Sequence, residues 1–336
     1  METITEGKAK INVPTGKVSR KLEVFYNPVM ETNRTVSVKV LNAVDNKHMQ
    51  MCDLLAGSGV RSARFLLELN KGKIKRIDIN DIGKKAVRLI KQNLRLNKLK
   101  SKFKIFNKDA NGLMMESKGY DYIDIDPFGT PNPFLELGVK KISRGGILAV
   151  TATDTGCLCG SFPEACRRKY WAEPKKDYMM HERGLRILIR KVQLVSGQYD
   201  KALVPILSYY KDHYFRIFFR CEKGKKKVDK IIEQHDYVDE AGPLWIGKLF
   251  DKKLMQRIED TEFIRVLKKE SKVDLYGFYD LPTIASKYKI QVPKMDKLIN
   301  VIKKKGKKAV RTHFREQSIK SDISEKGLVG LIKKIK

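Results

Sequence analysis

The sequence predicts an α/β fold: a mostly parallel sheet with an antiparallel strand at its end, followed by a smaller α+β unit. Two observations lead there. From Met49 to about Cys221, strand-like runs alternate with helix-like ones, and the region closes on two strand-like runs joined only by Lys211 and Asp212. After Cys221 the alternation stops and short, lysine-rich helical periods take over. Parallel neighbours need a crossover helix, whereas so short a joint allows only an antiparallel pair.

The elements follow in order. Met49–Leu55 reads as a strand ending in a glycine loop, Arg61–Asn70 as a helix and Lys73–Ile79 as a strand. A helix over Ile82–Asn97 places Ala86, Leu89, Ile90 and Leu94 on one face and Lys84, Lys85, Arg88, Lys91 and Arg95 on the other, a solvated basic face. Lys102–Phe106, Asp121–Asp126 and Gly146–Thr153 are further strands, and a helix around Arg183–Val195 leads into Ala202–Tyr210 and His213–Cys221. In such a sheet, ligands bind at the carboxyl ends of the strands, near the point where strand order reverses. Residues 1–221 therefore form one expected domain and residues 222–336 a second. The second opens on a basic linker, Lys223–Lys230, and a rigid turn, Gly242-Pro243-Leu244-Trp245. A mostly helical segment, Lys248–Lys272, comes next. Leu281–Tyr288, a turn ending at Pro293, and Lys294–Lys305 then resemble a helix-turn-helix. A strand over Lys308–Arg315, with Val310, Thr312 and Phe314 inward and Arg311, His313 and Arg315 outward, would complete a winged-helix-like unit.

Composition narrows the class. Lys and Arg number 70 against 39 Asp and Glu in 336 residues, a net charge of +31. A thermophilic composition raises both signs together, so a one-sided excess points to a polyanionic partner, nucleic acid foremost. No apolar run approaches the roughly 18 residues of a membrane span, and the acidic start Met1–Glu6 does not read as a signal peptide. Five cysteines, an odd number, fit a reducing interior rather than a disulfide framework. A cytoplasmic protein is expected.

Four constellations carry chemistry. The first is Asp53-Leu54-Leu55-Ala56-Gly57-Ser58-Gly59-Val60-Arg61. Gly57 and Gly59 at a strand-to-helix turn let the backbone approach a ligand, although a helix-capping loop would look the same. The dinucleotide fingerprint wants a third glycine where Ser62 stands, while an acid at Asp53 suits a cationic amino acid and a ribose. That arrangement resembles class I methyltransferases, which bind S-adenosylmethionine on a Rossmann-like sheet. The second is Asp78-Ile79-Asn80-Asp81, where either acid could take the two ribose hydroxyls and a helix cap at Asn80 or Asp81 is equally open. The third, Asn107-Lys108-Asp109-Ala110-Asn111, follows the next strand, where an Asp can accept an adenine amine.

The fourth is Tyr122-Ile123-Asp124-Ile125-Asp126-Pro127-Phe128-Gly129. A strand delivers an acid, then a proline without an N–H, then an aromatic ring. An aromatic amine is a poor nucleophile because its lone pair is delocalised. A carboxylate and a main-chain carbonyl that accept both its N–H groups expose that lone pair, and the ring stacks on an extruded base.

The order of these motifs resembles one family. Phe25-Tyr26-Asn27-Pro28-Val29-Met30-Glu31-Thr32-Asn33-Arg34, Gly57-Ser58-Gly59-Val60-Arg61, Asp126-Pro127-Phe128-Gly129-Thr130-Pro131, Gly242-Pro243-Leu244-Trp245 and Arg311-Thr312-His313-Phe314 closely resemble the tRNA guanine-N2-dimethyltransferases, which modify guanine 26. The likeness runs from about Val18 to Ser321. It implies that Arg34, Arg61, Asp81, Asp109 and Ala110 bind S-adenosylmethionine, that Asp81 rather than Asp78 takes the ribose, that Asp126 orients the guanine amine, and that Phe25 and Phe128 hold the base. It implies tRNA as partner, with no DNA. Many family members carry paired Cys-x-x-Cys zinc ligands before the Gly-Pro-Leu-Trp motif. This chain offers only Cys221 and His235 there, and no zinc is expected. Cys157, Cys159 and Cys166 are expected as free thiols. A nicotinamide-dependent dehydrogenase would share the glycine loop but leave Asp126-Pro127-Phe128 unexplained. A non-catalytic RNA-binding protein with a vestigial pocket would not need both the carboxylate and the rings.

Overall fold

Residues 1–15 and 24–335 are described by a computed structural model. The chain forms two compact units: Met1–Thr153 with Val192–Val204 and Arg216–Ile232, and Asp154–Lys191 with Pro205–Phe215 and Glu233–Lys336. A single cut after Cys221 does not describe this division, because one long helix and both strands of a hairpin continue from one unit into the other.

The chain begins with a hairpin, β1 (Glu2–Glu6) and β2 (Ala9–Val13), and a helix, α1 (Glu31–Ala43). Then β3 (Met49–Asp53), α2 (Val60–Glu68), β4 (Ile74–Asn80), α3 (Lys84–Leu96), β5 (Phe103–Phe106), α4 (Ala110–Glu116), β6 (Tyr120–Ile125), α5 (Asn132–Lys141) and β7 (Ile142–Ala152) alternate. Next come α6 (Thr155–Leu158), α7 (Pro163–Tyr170), the long α8 (Met180–Gly197), and the hairpin β8 (Lys201–Lys211) and β9 (Tyr214–Lys223). Seven strands form one sheet in the order β5-β4-β3-β6-β7-β9-β8, and β3 through β7 pair in parallel. Met51, Ile77, Ile123, Ile125, Leu148 and Val150 are fully buried, as strands covered on both faces must be. Strand order reverses between β4 and β6 around β3, so the carboxyl ends of these three strands frame the crevice where such sheets bind ligands. α3 buries Ala86, Leu89, Ile90 and Leu94 and leaves its basic face in solvent, as expected.

α9 (Lys225–Ile232) occupies the stretch read as a basic linker, because Val228 and Ile231 give it a buried side. The pair β10 (His235–Val238) and β11 (Ala241–Trp245) is antiparallel, so Gly242–Trp245 is a strand rather than a turn. It is followed by α10 (Lys252–Arg257), α11 (Glu262–Glu270), β12 (Tyr279–Asp280), α12 (Leu281–Tyr288), α13 (Met295–Lys304), β13 (Ala309–Arg311), β14 (Ser318–Ser321) and α14 (Glu325–Ile332). The three short strands pair in the order β12-β14-β13, and Leu281, Leu298, Ile302, Ile319 and Leu328 form the core of this winged-helix-like part. The strand expected over Lys308–Arg315 ends at Arg311. Beyond it the chain turns, so His313 points inward, its side chain only 1 % exposed, instead of outward. No helix among the described residues is long and apolar enough to cross a membrane.

Candidate active site

All eleven residues singled out for catalysis or cofactor binding lie in the first unit, most of them at the carboxyl ends of β3, β4, β5 and β6. The loop after β3 is held by backbone geometry. Gly57 has φ +55°, and a Cβ there would come within 3.0 Å of the Phe25 carbonyl oxygen; Gly59 caps α2 at φ +78°, against Ile90. The glycines are thus required first by the chain's own close approach. That approach brings the Phe25 segment, distant in sequence, against the loop.

Asp81 lies just past β4. One of its oxygens accepts the Gly57 N–H at 2.9 Å and the other the Gly83 N–H at 2.8 Å. Burial pushes its carboxyl up despite those two bonds. Asp78 turns the other way, accepting from Arg76 at 2.9 Å and from the Tyr120 hydroxyl at 3.0 Å. Geometry thus sets Asp81, not Asp78, beside the glycine loop. Asp109 caps α4 by accepting the Gly112 N–H, with Ala110 buried next to it. Asn80, fully buried, donates to the Leu54 and Lys108 carbonyls and accepts the Lys108 N–H, tying the loops after β3, β4 and β5 together.

Asp53 departs from its expected place. It is 3 % exposed and takes the Ser62 hydroxyl at 2.6 Å, so it braces the start of α2 from behind instead of facing an open site. Burial pushes its carboxyl up to about 6, against the opposing pull of Arg61.

The arginines are engaged as well. Arg34 is clamped by Glu6 of β1, donates to the Asn27 carbonyl at 3.1 Å and lies over the Tyr26 ring at 5.2 Å. Glu6 also accepts from Arg64 and from the Tyr26 hydroxyl. Burial raises the Glu6 carboxyl, but Arg34 and Arg64 outweigh it and hold it below its ordinary range, while burial and the facing Glu6 push Tyr26 up to about 12. Arg61 is ion-paired with Asp126, lies 3.4 Å from Asp124 and donates to the Ser37 hydroxyl at 3.0 Å. Behind it Arg216 of β9, fully buried, donates to both oxygens of Asp124, to Thr151 and to Ser37. Burial alone would raise the Asp124 carboxyl, but Arg216 and Arg61 pull it below its usual value. Two carboxylates and two guanidiniums thus cancel in charge, and of the four only Asp126 reaches solvent, its side chain 19 % exposed.

Beside Asp126 stand the rings. Phe128 is 49 % exposed, and Phe25 meets it edge-on, with centroids 4.0 Å apart and planes at 83°. An exposed ring, backed by a half-buried one and next to a carboxylate, offers a flat apolar partner an acceptor at its edge. Polar acceptors also wait without partners: Asn111 Oδ1, next to Ala110, and Asn33 Oδ1, next to Arg34, are buried and accept no hydrogen bond. A donor-rich ligand with an exocyclic amine satisfies such atoms. This set of acceptors fits S-adenosylmethionine, whose ammonium, ribose hydroxyls and adenine amine are donors.

Sequence reasoning gave no role to Glu6, Asp124 and Arg216, and read Asn80 only as a possible helix cap. Asp124 and Arg216 left a signal, a charge within an otherwise apolar strand; Glu6 left none. Among the described residues no three His, Cys, Asp or Glu side chains gather as metal ligands would, and all five cysteines are buried free thiols.

Comparison with known proteins bears on this arrangement. The profile of the N2,N2-dimethylguanosine tRNA methyltransferase family matches residues 7–241 and 238–333. A tRNA (guanine(26)-N(2)/guanine(27)-N(2))-dimethyltransferase of Aquifex aeolicus is 36 % identical, covering 96 % of this chain and 94 % of its own. A tRNA (guanine(26)-N(2))-dimethyltransferase of Methanococcus maripaludis is 36 % identical over 99 % of this chain and 98 % of its own. The solved structure of Trm1 from Pyrococcus horikoshii in complex with S-adenosyl-L-methionine superposes with a TM-score of 0.89 at 33 % identity, covering 99 % of this chain and all of that one.

Proposed function

The chain belongs to the N2,N2-dimethylguanosine tRNA methyltransferase family, and from that premise we propose how its site works. It is an S-adenosylmethionine-dependent enzyme that methylates the exocyclic N2 of guanine in tRNA. Arg34, Arg61, Gly57, Gly59, Asp81, Asp109 and Ala110 hold the cofactor, with Asp53 supporting the loop from beneath. When bound, the cofactor supplies an electrophilic methyl group on a sulfonium.

The chain's own residues do the rest. An extruded guanine stacks on the exposed ring of Phe128, which Phe25 buttresses edge-on, and the edge of the base then falls to Asp126. The carboxylate accepts an N2–H, which turns the nitrogen lone pair outward and gives the departing proton a place to go. Arg61 pins one Asp126 oxygen, so the carboxylate keeps a single orientation. A second transfer needs the monomethylated amine to rotate and present its remaining hydrogen to the same oxygen. The second unit, with Glu233–Lys336, holds the tRNA body, no DNA is bound, and the enzyme works in the cytoplasm.

The observation that carries this reading is the meeting of Phe25 and Phe128, from motifs about a hundred residues apart, beside a carboxylate clamped by Arg61. Nucleoside mass spectrometry of unmodified tRNA after reaction with S-adenosylmethionine tests it, with the modified position mapped. N2,N2-dimethylguanosine at position 26 is expected. Modification at 27 as well would align the chain with the Aquifex relative, and no methylation over a wide temperature range would refute the reading.

A further inference from the structure

One concavity of the second unit is lined by lysines alone among charged residues. α10, the end of α11 with the residues that follow it, and the connection from α13 to β13 wall a groove of about 850 Å³. Lys252, Lys269, Lys272, Lys303, Lys307 and Lys308 line it, all exposed, and none of these ammonium groups has an ion-pair partner among the described residues. Lys268, half-buried, is the paired exception, 2.6 Å from Asp260. No lining residue is Asp, Glu, Arg or aromatic. The arginines that follow differ: Arg311, the last residue of β13, is paired with Asp296 at 2.8 Å, and Arg315, beyond the strand, with Asp280 at 3.3 Å.

Six like charges around one concavity repel each other unless a polyanion neutralises them. The side-chain types say which polyanion, and how it is held. Lysine is a strongly hydrated point charge that meets a phosphate from any direction, whereas reading base edges favours the planar fork of arginine. Without an aromatic ring the walls have nothing on which an unstacked base could rest, so the groove suits backbone, not a splayed single strand. We propose that this groove is a sequence-blind track for the phosphodiester backbone of the tRNA body. The proposal rests on the reading that the chain acts on tRNA. It divides the labour: the groove supplies affinity, and the Phe25–Phe128 pocket selects the base.

The test uses the full chain and three proteins: wild type, the triple variant Lys303→Gln/Lys307→Gln/Lys308→Gln, and a control with the same charge loss on the exposed face of α3 and its end, Lys91→Gln/Arg95→Gln/Lys98→Gln. Filter binding of an unmodified tRNA transcript and of an unrelated RNA duplex is measured from 50 to 200 mM salt. Every phosphate left without its lysine lowers the slope of log affinity against log salt by about 0.7–0.9, so the triple variant should show a slope smaller by about 2 and bind at least about tenfold more weakly at 100 mM. Both RNAs should suffer alike, while kcat at saturating tRNA stays at the wild-type value. An unchanged slope in the triple variant, an equal weakening in the control, or a weakening confined to the tRNA would each overturn the proposal. If the slope falls as stated but wild type methylates no tRNA, the groove stands and the catalytic reading fails. If wild type methylates tRNA and the slope is unchanged, the reverse holds.

Discussion

Each unit buries a cluster of charges built from two carboxylates and two cations, and the two clusters end differently. In the first, Asp124 lies between Arg216 and Arg61, and Arg61 reaches on to Asp126, which looks out to solvent beside Phe128. In the second, Glu182 accepts from Arg186 at 2.9 Å and Lys320 at 3.0 Å. Lys320 lies 3.7 Å from Glu270, which accepts from the Thr312 hydroxyl, the His313 backbone N–H and the His313 ring. His313 Nε2 in turn accepts the Tyr210 N–H, so both ring nitrogens are engaged by protein. None of the charged side chains in this second cluster is more than 1 % exposed. The second network faces only protein, with Glu182 Oε2 buried and without a hydrogen-bond partner, and a network closed off from solvent serves the stability or specificity of the fold. One whose last carboxylate is open can act on something else. Thr312 and His313 of the Arg-Thr-His-Phe motif belong to the closed network, which gives His313 a structural place, whereas Arg311 is exposed and paired with Asp296.

The comparison can be broken at several points. Asp126→Ala removes the open end and should lower kcat by about 100- to 1000-fold, while cofactor binding by calorimetry persists; a variant that keeps its rate would deny Asp126 its role. Lys320→Met takes one cation from the closed cluster and leaves uncompensated carboxylates, so stability by denaturant titration should fall by about 3–5 kcal/mol. A drop below about 1 kcal/mol would mean that the cluster is looser than drawn.

The two regions should also respond to pH with opposite sign. Glu270 is lowered to about 2: burial opposes its ionisation, but His313 and Lys320 more than compensate. Its contribution is complete above the unfolded value near 4.5 and is lost as pH falls toward 2. Asp53 is raised to about 6 by burial, so the folded state prefers its protonated form and stability drains away as pH rises from about 4 to 6. Asp53→Asn should therefore flatten the stability profile between about pH 4 and 6 and leave the acid limb intact, as urea melts at a series of pH values would record. Equal profiles in both proteins would show that Asp53 ionises freely. The smallest effect is expected from metal removal. A chelator should leave the melting temperature unchanged, and metal analysis should find far less than one zinc per chain.

Much of this molecule was legible in the sequence because it rests on local rules. The alternation of period 2 and period 3.6 located the sheet strands and their helices, and the glycine pair located the loop. A strand ending in Asp126-Pro127-Phe128 identified the acid and the ring. Errors clustered where tertiary packing overrode local composition. Lys223–Lys230 reads as a solvated linker until Val228 and Ile231 are buried, and Gly242–Trp245 reads as a turn until β10 pairs with it. His313 alternates with inward residues along an imagined strand, but the strand stops at Arg311 and its ring finds Glu270.

By itself, then, the sequence determined the parallel sheet, the order of its loops and the residue types they carry, because each depends on neighbours within one helical turn or one strand. Only the tertiary structure decided that Phe25 meets Phe128, that Asp81 and not Asp78 touches Gly57, that Asp53 faces the core, and that Arg61 spans Asp124 and Asp126. Most of those are contacts between segments about twenty to a hundred residues apart, and a buried charge takes whichever partner the fold brings within reach. No local pattern encodes that choice, because it follows from the large cost of leaving such a charge alone.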